Sequence, residues 1–419
     1  MASVTRLRRV LGALAGGGSG VAFAVLTPRA ASLGVQWLLA IVAGPAAVAA
    51  FVNVTSRGGV VVSLVSAGLA ATLLGRRAAL RSARGRALIG AALAALAALA
   101  FAVTLAWETA LGLGARAGLI TACFSALSLF SSVAPAVWPL WQMEGRYLRL
   151  LLLQLFFSPL AASLTAFAGK PSAVAIATGL ASATPALVMV RPAPVARTAR
   201  YAAFLLRRAV PVSITNFATA VVFPLALHMG VAEIGGAAAG HQVLYWSFIV
   251  ALSIASQSFA TRAITAADPS LPEPTRRARA LRAWIPAALA LCVVPALLYL
   301  AFTTPIPGVP RTGAAREALI PTMLVSGVAP VLTDPICFYF SGTSSRRPLA
   351  LGSAVVSALV ALGLWLAPAP IIHHIGVIGP SALIGVLRLA FVFDPPARHA
   401  ARVAGVALLA AYAAAVLLA

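Results

Sequence analysis

Arg29, Arg57 and Arg388 stand inside long apolar runs, where an ionised side chain has few ways to be accommodated. At bilayer depth such a residue costs at least about 2.5 to 3.5 kcal/mol on insertion scales, so it rarely faces lipid. In the first hydrophobic hairpin, Gly18 to Leu74, Arg29, Ser32 and Gln36 recur at spacings of three and four, which places them on one helix face. Asn53, Ser56, Arg57 and Ser63 do much the same on the following helix. Two guanidinium groups on a polar wall suit planar, multidentate contact with phosphate or carboxylate oxygens. The first expectation is therefore a cationic cavity holding an anionic group. The plainer alternative is that each arginine snorkels or bonds nearby backbone carbonyls, and Pro28 loosens the helix beside Arg29.

Further along, Ser213, Asn216 and Thr219 share a face between Pro211 and Pro224, and His241, Gln242, Tyr245, Ser256 and Gln257 mark the next apolar run. Asn216 and Gln242 join Arg29, Gln36, Asn53 and Arg57 as candidate substrate contacts. Interhelical hydrogen bonding is the competing reading. Asp334 is an acid inside an apolar run and Arg388 lies at similar depth, so they are expected to form a structural pair or an ion-coupling site. His228 and His241 fall near a membrane boundary, where solvation or proton sensing are the options. No paired carboxylates, nucleotide-binding glycine loop or His/Cys cluster with metal spacing is present, so no enzyme, no catalytic residue, no metal and no cofactor are expected. Cys123, Cys292 and Cys337 all lie in apolar segments and read as small core residues.

The elements that must position these residues follow from composition. Of 419 residues 61% are hydrophobic and 9% charged, a balance that describes a polytopic membrane protein rather than a soluble domain. The net charge of +23 would fit nucleic acid, but the distribution of the charges excludes it. With a cytoplasmic N-terminus, 24 of the 31 basic residues fall in inner loops. The basic balance is thus mainly the positive-inside rule. The apolar runs predict twelve spanning helices, with Gly44 and Pro45 forming the first outer turn, Glu108 the second, and Val403 to Ala419 a short thirteenth helix or an interfacial one.

Similar features recur at separations of 196 to 199 residues: Arg8 and Arg9 with Arg207 and Arg208, the run from Arg86 with that from Arg282, and Gly145 and Arg149 with Gly342 and Arg346. Six helices per half is an even number, so the halves share an orientation. The expected architecture is an all-α, multi-pass protein of two six-helix lobes related by a pseudo-twofold axis along the membrane normal. The lobes would span 1–190 and 209–393, joined by a cytoplasmic linker at 191–208 and followed by a tail at 394–419.

AGPAAVAAF from Ala43, MEGRYLRLLLLQ from Met143, RRAVPVSITNF from Arg207, the turn FSGTSSRRPLALGS from Phe340 and IGVIGPSALIGVLRLAFV from Ile375 together resemble the polysaccharide-transporter branch of the MOP superfamily. These are the Wzx-type flippases of lipid-linked oligosaccharides, related to the MATE exporters. The resemblance implies a central cavity lined by helices 1, 2, 7 and 8, and alternating access without ATP hydrolysis. It implies translocation of an isoprenoid diphosphate-linked oligosaccharide from the inner to the outer leaflet of the bacterial cell membrane. Arg29 and Arg57 match by position the cationic residues of that cavity. The implied partners are the lipid-linked oligosaccharide, membrane lipids, a polysaccharide polymerase and glycosyltransferases, and no nucleic acid. A MATE-like exporter of small molecules is the alternative, against which stands the shortage of acids within the first six helices.

Overall fold

Gly44 carries a φ of +84°, a left-handed setting that glycine tolerates and an L side chain does not. The turn it makes joins α1 (Ser32–Ala43) to α2 (Pro45–Ser63), and Pro45 enters α2 where no amide hydrogen is needed. The expected Gly44–Pro45 turn is in place. The computed structural model describes residues 32–153 and 170–210, except 75, 113, 144, 145, 147 and 148, with isolated positions at 163, 164, 167, 168, 213, 235–237, 239, 240, 243, 244 and 275. Among the described residues all regular secondary structure is helical.

The order continues with α3 (Ser66–Leu74), α4 (Arg77–Arg81), α5 (Ala83–Ala110), α6 (Ala115–Ser132), α7 (Ala134–Met143), α8 (Pro171–Leu187) and α9 (195–210). A further helical stretch covers 149–153. By length and composition α2, α5 and α6 are able to cross a membrane. At 28 residues, α5 is the longest of these. It reaches about 42 Å at the usual rise, more than the roughly 30 Å of a hydrocarbon core. Its N-terminus is set by Ser82, whose hydroxyl accepts from Gly85 N at 3.0 Å. Its outer flank leaves Leu99, Val103 and Trp107 exposed, as a lipid-facing surface requires.

Two helices expected as single runs are each divided. The run to Leu74 tightens at Leu64 and Val65, whose amides bond the carbonyls of Val61 and Val62 three residues back. Ser63 adds to this by turning its hydroxyl onto Val60 O at 2.6 Å. The run ending near Trp141 breaks at Val133, because Pro135 brings no amide hydrogen and the hydroxyls of Ser131 and Ser132 bond back to Ser128 O and Leu129 O. The stretch expected as a linker lacks regular secondary structure only through 191–194 and is helical from 195 onward. The reason is amphipathic burial: Ala202, Leu205 and Ala209 are buried while Arg197, Arg200, Arg207 and Arg208 remain exposed.

The chain divides into two compact units, one comprising Met1–Val35 and Arg57–Ser213, the other Gln36–Ser56 and Ile214–Ala419. In the first, Leu69, Leu73, Leu93, Leu129, Trp138 and Leu205 belong to one apolar cluster. Polar bonds stitch its helices: Thr104 Oγ1 on α5 donates to Ser125 Oγ on α6 at 2.9 Å, and Trp141 Nε1 on α7 donates to Pro185 O on α8 at 3.0 Å. In the second, Leu39, Ala40, Val48 and Phe51 are buried, and the Pro45 carbonyl lies against Gly240 where a Cβ would not fit. The helices expected after residue 210, and the terminal segment Val403 to Ala419, lie outside the described residues apart from the isolated positions.

Candidate functional site

The site is built from a missing side chain and a charged one beside it. A Cβ on Gly58 would meet Phe124 Cδ1 and Thr121 O, both at 2.9 Å, so glycine lets the backbone of α2 press against α6. One residue earlier, Arg57 reaches α5, where its Nη2 stands 3.3 Å from Glu108 Oε2. The Arg57 side chain is 16% exposed and that of Glu108 is 0% exposed. Gly118 on α6 completes the seat, since a Cβ there would lie 3.2 Å from Glu108 Cβ.

Glu108 belongs to the last turn of α5, just before Leu111 and the Gly112 turn (φ +69°). A carboxylate at this end faces the negative pole of the helix and its unpaired carbonyls. Arg57 offsets both. The sequence places Glu108 at an outer turn; the structure instead holds it inside the helix and fully buried. Apolar flanks and the glycines Gly58 and Gly118 make this possible. A lone acid ending an apolar run opposite an arginine-bearing helix was the signal available.

The polar wall expected on α2 is narrower than the spacing suggests. The hydroxyls of Thr55, Ser56 and Ser63 donate to Val52 O, Asn53 O and Val60 O of their own helix. Asn53 Oδ1, Arg57 Nε and both Glu108 oxygens are buried without a hydrogen-bond partner among the described residues. Burial of such groups is costly, and it leaves donors and acceptors able to engage a ligand. Gln36 is buried in α1. Arg29, Asn216, Gln242, Asp334 and Arg388 lie outside the described residues.

Ser213, grouped with Asn216 by spacing, is buried and accepts from Gly68 N at 2.8 Å, serving the open start of α3. Among the described residues no group of three His, Cys, Asp or Glu side chains is placed to hold a metal ion, and Cys123 is a half-buried free thiol.

No protein-family model matches the sequence, and no curated protein does. Three solved structures resemble the chain along nearly its whole length. An inward-facing multidrug resistance MATE family transporter of the MOP superfamily shares 14% identity over 94% of this chain and 95% of its own, with a TM-score of 0.49. A MATE in complex with MaD3S shares 14% over 95% of this chain and 98% of its own, with a TM-score of 0.48. A MOP superfamily transporter from Pyrococcus furiosus, described as having a binding pocket of reverse polarity, shares 16% over 97% of both chains, again with a TM-score of 0.48.

Proposed function

We propose that this chain is a multi-pass transporter of the flippase kind, carrying an isoprenoid diphosphate-linked oligosaccharide from the cytoplasmic to the outer leaflet by alternating access. The observation that carries this reading is the half-buried Arg57, whose guanidinium keeps an Nε without a hydrogen-bond partner among the described residues. A diphosphate offers the planar, multidentate acceptor that such a group recognises. In the proposed cycle the phosphate oxygens take Arg57 in place of Glu108, Arg29 and Asn53 add contacts, and the lipid tail stays in the bilayer. Gln36, Asn216 and Gln242 remain proposed contacts for the sugar, and Asp334 with Arg388 a structural or coupling pair. The N-terminus, in this reading, is cytoplasmic.

The test is a leaflet-accessibility assay of a lipid-linked glycan with Arg29→Ala, Arg57→Ala and the double variant. Strongly reduced flipping in the double variant is expected, and unchanged flipping would sink the cationic-cavity model. Glu108 favours a second reading, an ion-coupled exporter of small molecules, because it supplies a buried acid within the first half. Glu108→Gln separates the two: an exporter driven through this carboxylate loses its ion dependence, whereas a flippase retains lipid movement.

A further inference from the structure

At the arginine-rich end of the first unit, one aromatic ring gathers two cations. Arg76 Cζ stands 5.0 Å from the centroid of the Phe204 ring and Arg208 Cζ stands 5.9 Å from it. Stacking on a ring uses the face of a guanidinium and leaves its in-plane N–H donors directed elsewhere. Two like charges held this close repel, and among the described residues no acidic side chain is paired with Arg76 or Arg208. Arg84, Arg197, Arg200 and Arg207 are exposed along the two segments that meet at this ring. An external anion placed between the two guanidiniums would relieve that repulsion.

Its apolar side indicates where that anion comes from. Val190 is 39% exposed and Val195 is 84% exposed at the entry to α9, while Ala202, Leu205 and Ala209 are turned into the protein. A helix with arginines on one flank and bare valines at its start has the character of an interfacial segment, whose apolar atoms reach the acyl boundary and whose charges meet headgroups. Just before it, Met189 and Val190 pass against Gly90 of α5, a helix able to cross a membrane.

We propose that the corner formed by Arg76, Phe204 and Arg208 is a docking site for anionic phospholipid headgroups, with the exposed valines at the start of α9 seated among the lipid chains. The phosphodiester of such a lipid supplies the missing negative charge to both guanidiniums. This inference rests on the chain being membrane-embedded and not on any transported substrate, so it fails or stands independently of the flippase reading.

The test uses the full chain in detergent, titrated with phosphatidylglycerol or with phosphatidylcholine of the same acyl chains, reading the thermal unfolding midpoint. Phosphatidylglycerol is expected to stabilise more, with the difference largely lost at high salt. Arg76→Gln/Arg208→Gln is expected to weaken the phosphatidylglycerol preference by about tenfold or more, while Arg116→Gln, exposed at the start of α6, keeps it. Equal stabilisation by both lipids, or by inorganic phosphate alone, overturns the proposal, as does a preference undiminished in the double variant. Should that variant fail to fold, Arg208→Gln alone, at an exposed position of α9, takes its place: a weakened preference supports the site and an unchanged one overturns it.

Discussion

Arg57 on α2 and Glu108 on α5 form an ion pair of 3.3 Å in which the carboxylate is wholly buried. The pair is neither a surface decoration nor a fully satisfied network, since Arg57 Nε and both carboxylate oxygens lack hydrogen bonds among the described residues. Coulomb attraction across a poorly solvated gap offsets desolvation only in part. The consequence is asymmetric, and it can be measured.

Removing one partner strands the other charge. Arg57→Met or Glu108→Leu alone is expected to destabilise the protein by about 3 to 5 kcal/mol, whereas the double substitution recovers much of that loss. Thermal unfolding of the four proteins in detergent, treated as a double-mutant cycle, checks this. Simple additivity of the single effects would mean that the two side chains do not interact.

Adjacent glycines in α2 predict opposite signs. Gly58→Ala places a methyl group 2.9 Å from both Thr121 O and Phe124 Cδ1, and should cost about 1 to 3 kcal/mol. Gly59→Ala meets nothing within 4 Å, so the better helix propensity of alanine should leave stability unchanged or raise it by up to about 1 kcal/mol. Comparing unfolding midpoints in the same detergent decides between them. Equal destabilisation by both would count against the close approach of α2 and α6.

Trp141 reaches across from α7 to an end carbonyl of α8, with Nε1 3.0 Å from Pro185 O. Trp141→Phe keeps a large aromatic ring but removes the donor from a buried carbonyl, at an expected cost of about 1 to 2 kcal/mol. Chemical unfolding with α8 monitored by hydrogen exchange should show faster exchange near Ala186 and Leu187. Unaltered exchange there would show that the carbonyl does not depend on the indole.

Ser213 caps a helix to which it does not belong. The residue before α3 is Val65, which has no side-chain oxygen, and Ser213 Oγ takes the Gly68 amide at 2.8 Å instead. Ser213→Ala is therefore expected to lose about 1 kcal/mol, within the range for deleted N-caps, and Ser213→Thr to lose less. Fraying at Ser66 to Gly68, followed by amide exchange, is the readout. A stable α3 in the alanine variant would refute the cap.

Several elements were legible in the order of residues. Long apolar runs specify helices because a backbone in lipid must satisfy its own hydrogen bonds, and the Gly44–Pro45 pair marks a turn because only glycine enters its left-handed setting cheaply. Counting helices leads to the expectation that the arginine clusters at 76–86 and 191–208 share one membrane side, and Arg76 and Arg208, one from each cluster, share the ring of Phe204. Less legible were the breaks at Leu64 and Val133. Each depends on serine hydroxyls choosing backbone carbonyls over other partners, a local competition that hydropathy does not register. The helical character of 195–210 was also hidden, because its burial pattern needs neighbouring helices to give meaning to Ala202, Leu205 and Ala209.

By itself, the sequence determined that Arg57 sits within an apolar helix and must find a partner or a cavity, because an unpaired guanidinium there is costly wherever the helix lies. It could not say which. Tertiary structure decided that Glu108, fifty-one positions away along the chain, is that partner, by closing α2 onto α6 at Gly58 and turning the last turn of α5 inward beside Gly118. The physical reason is that burial creates the demand for a counter-charge locally, while the distance at which the demand is met depends on how closely the helices can approach.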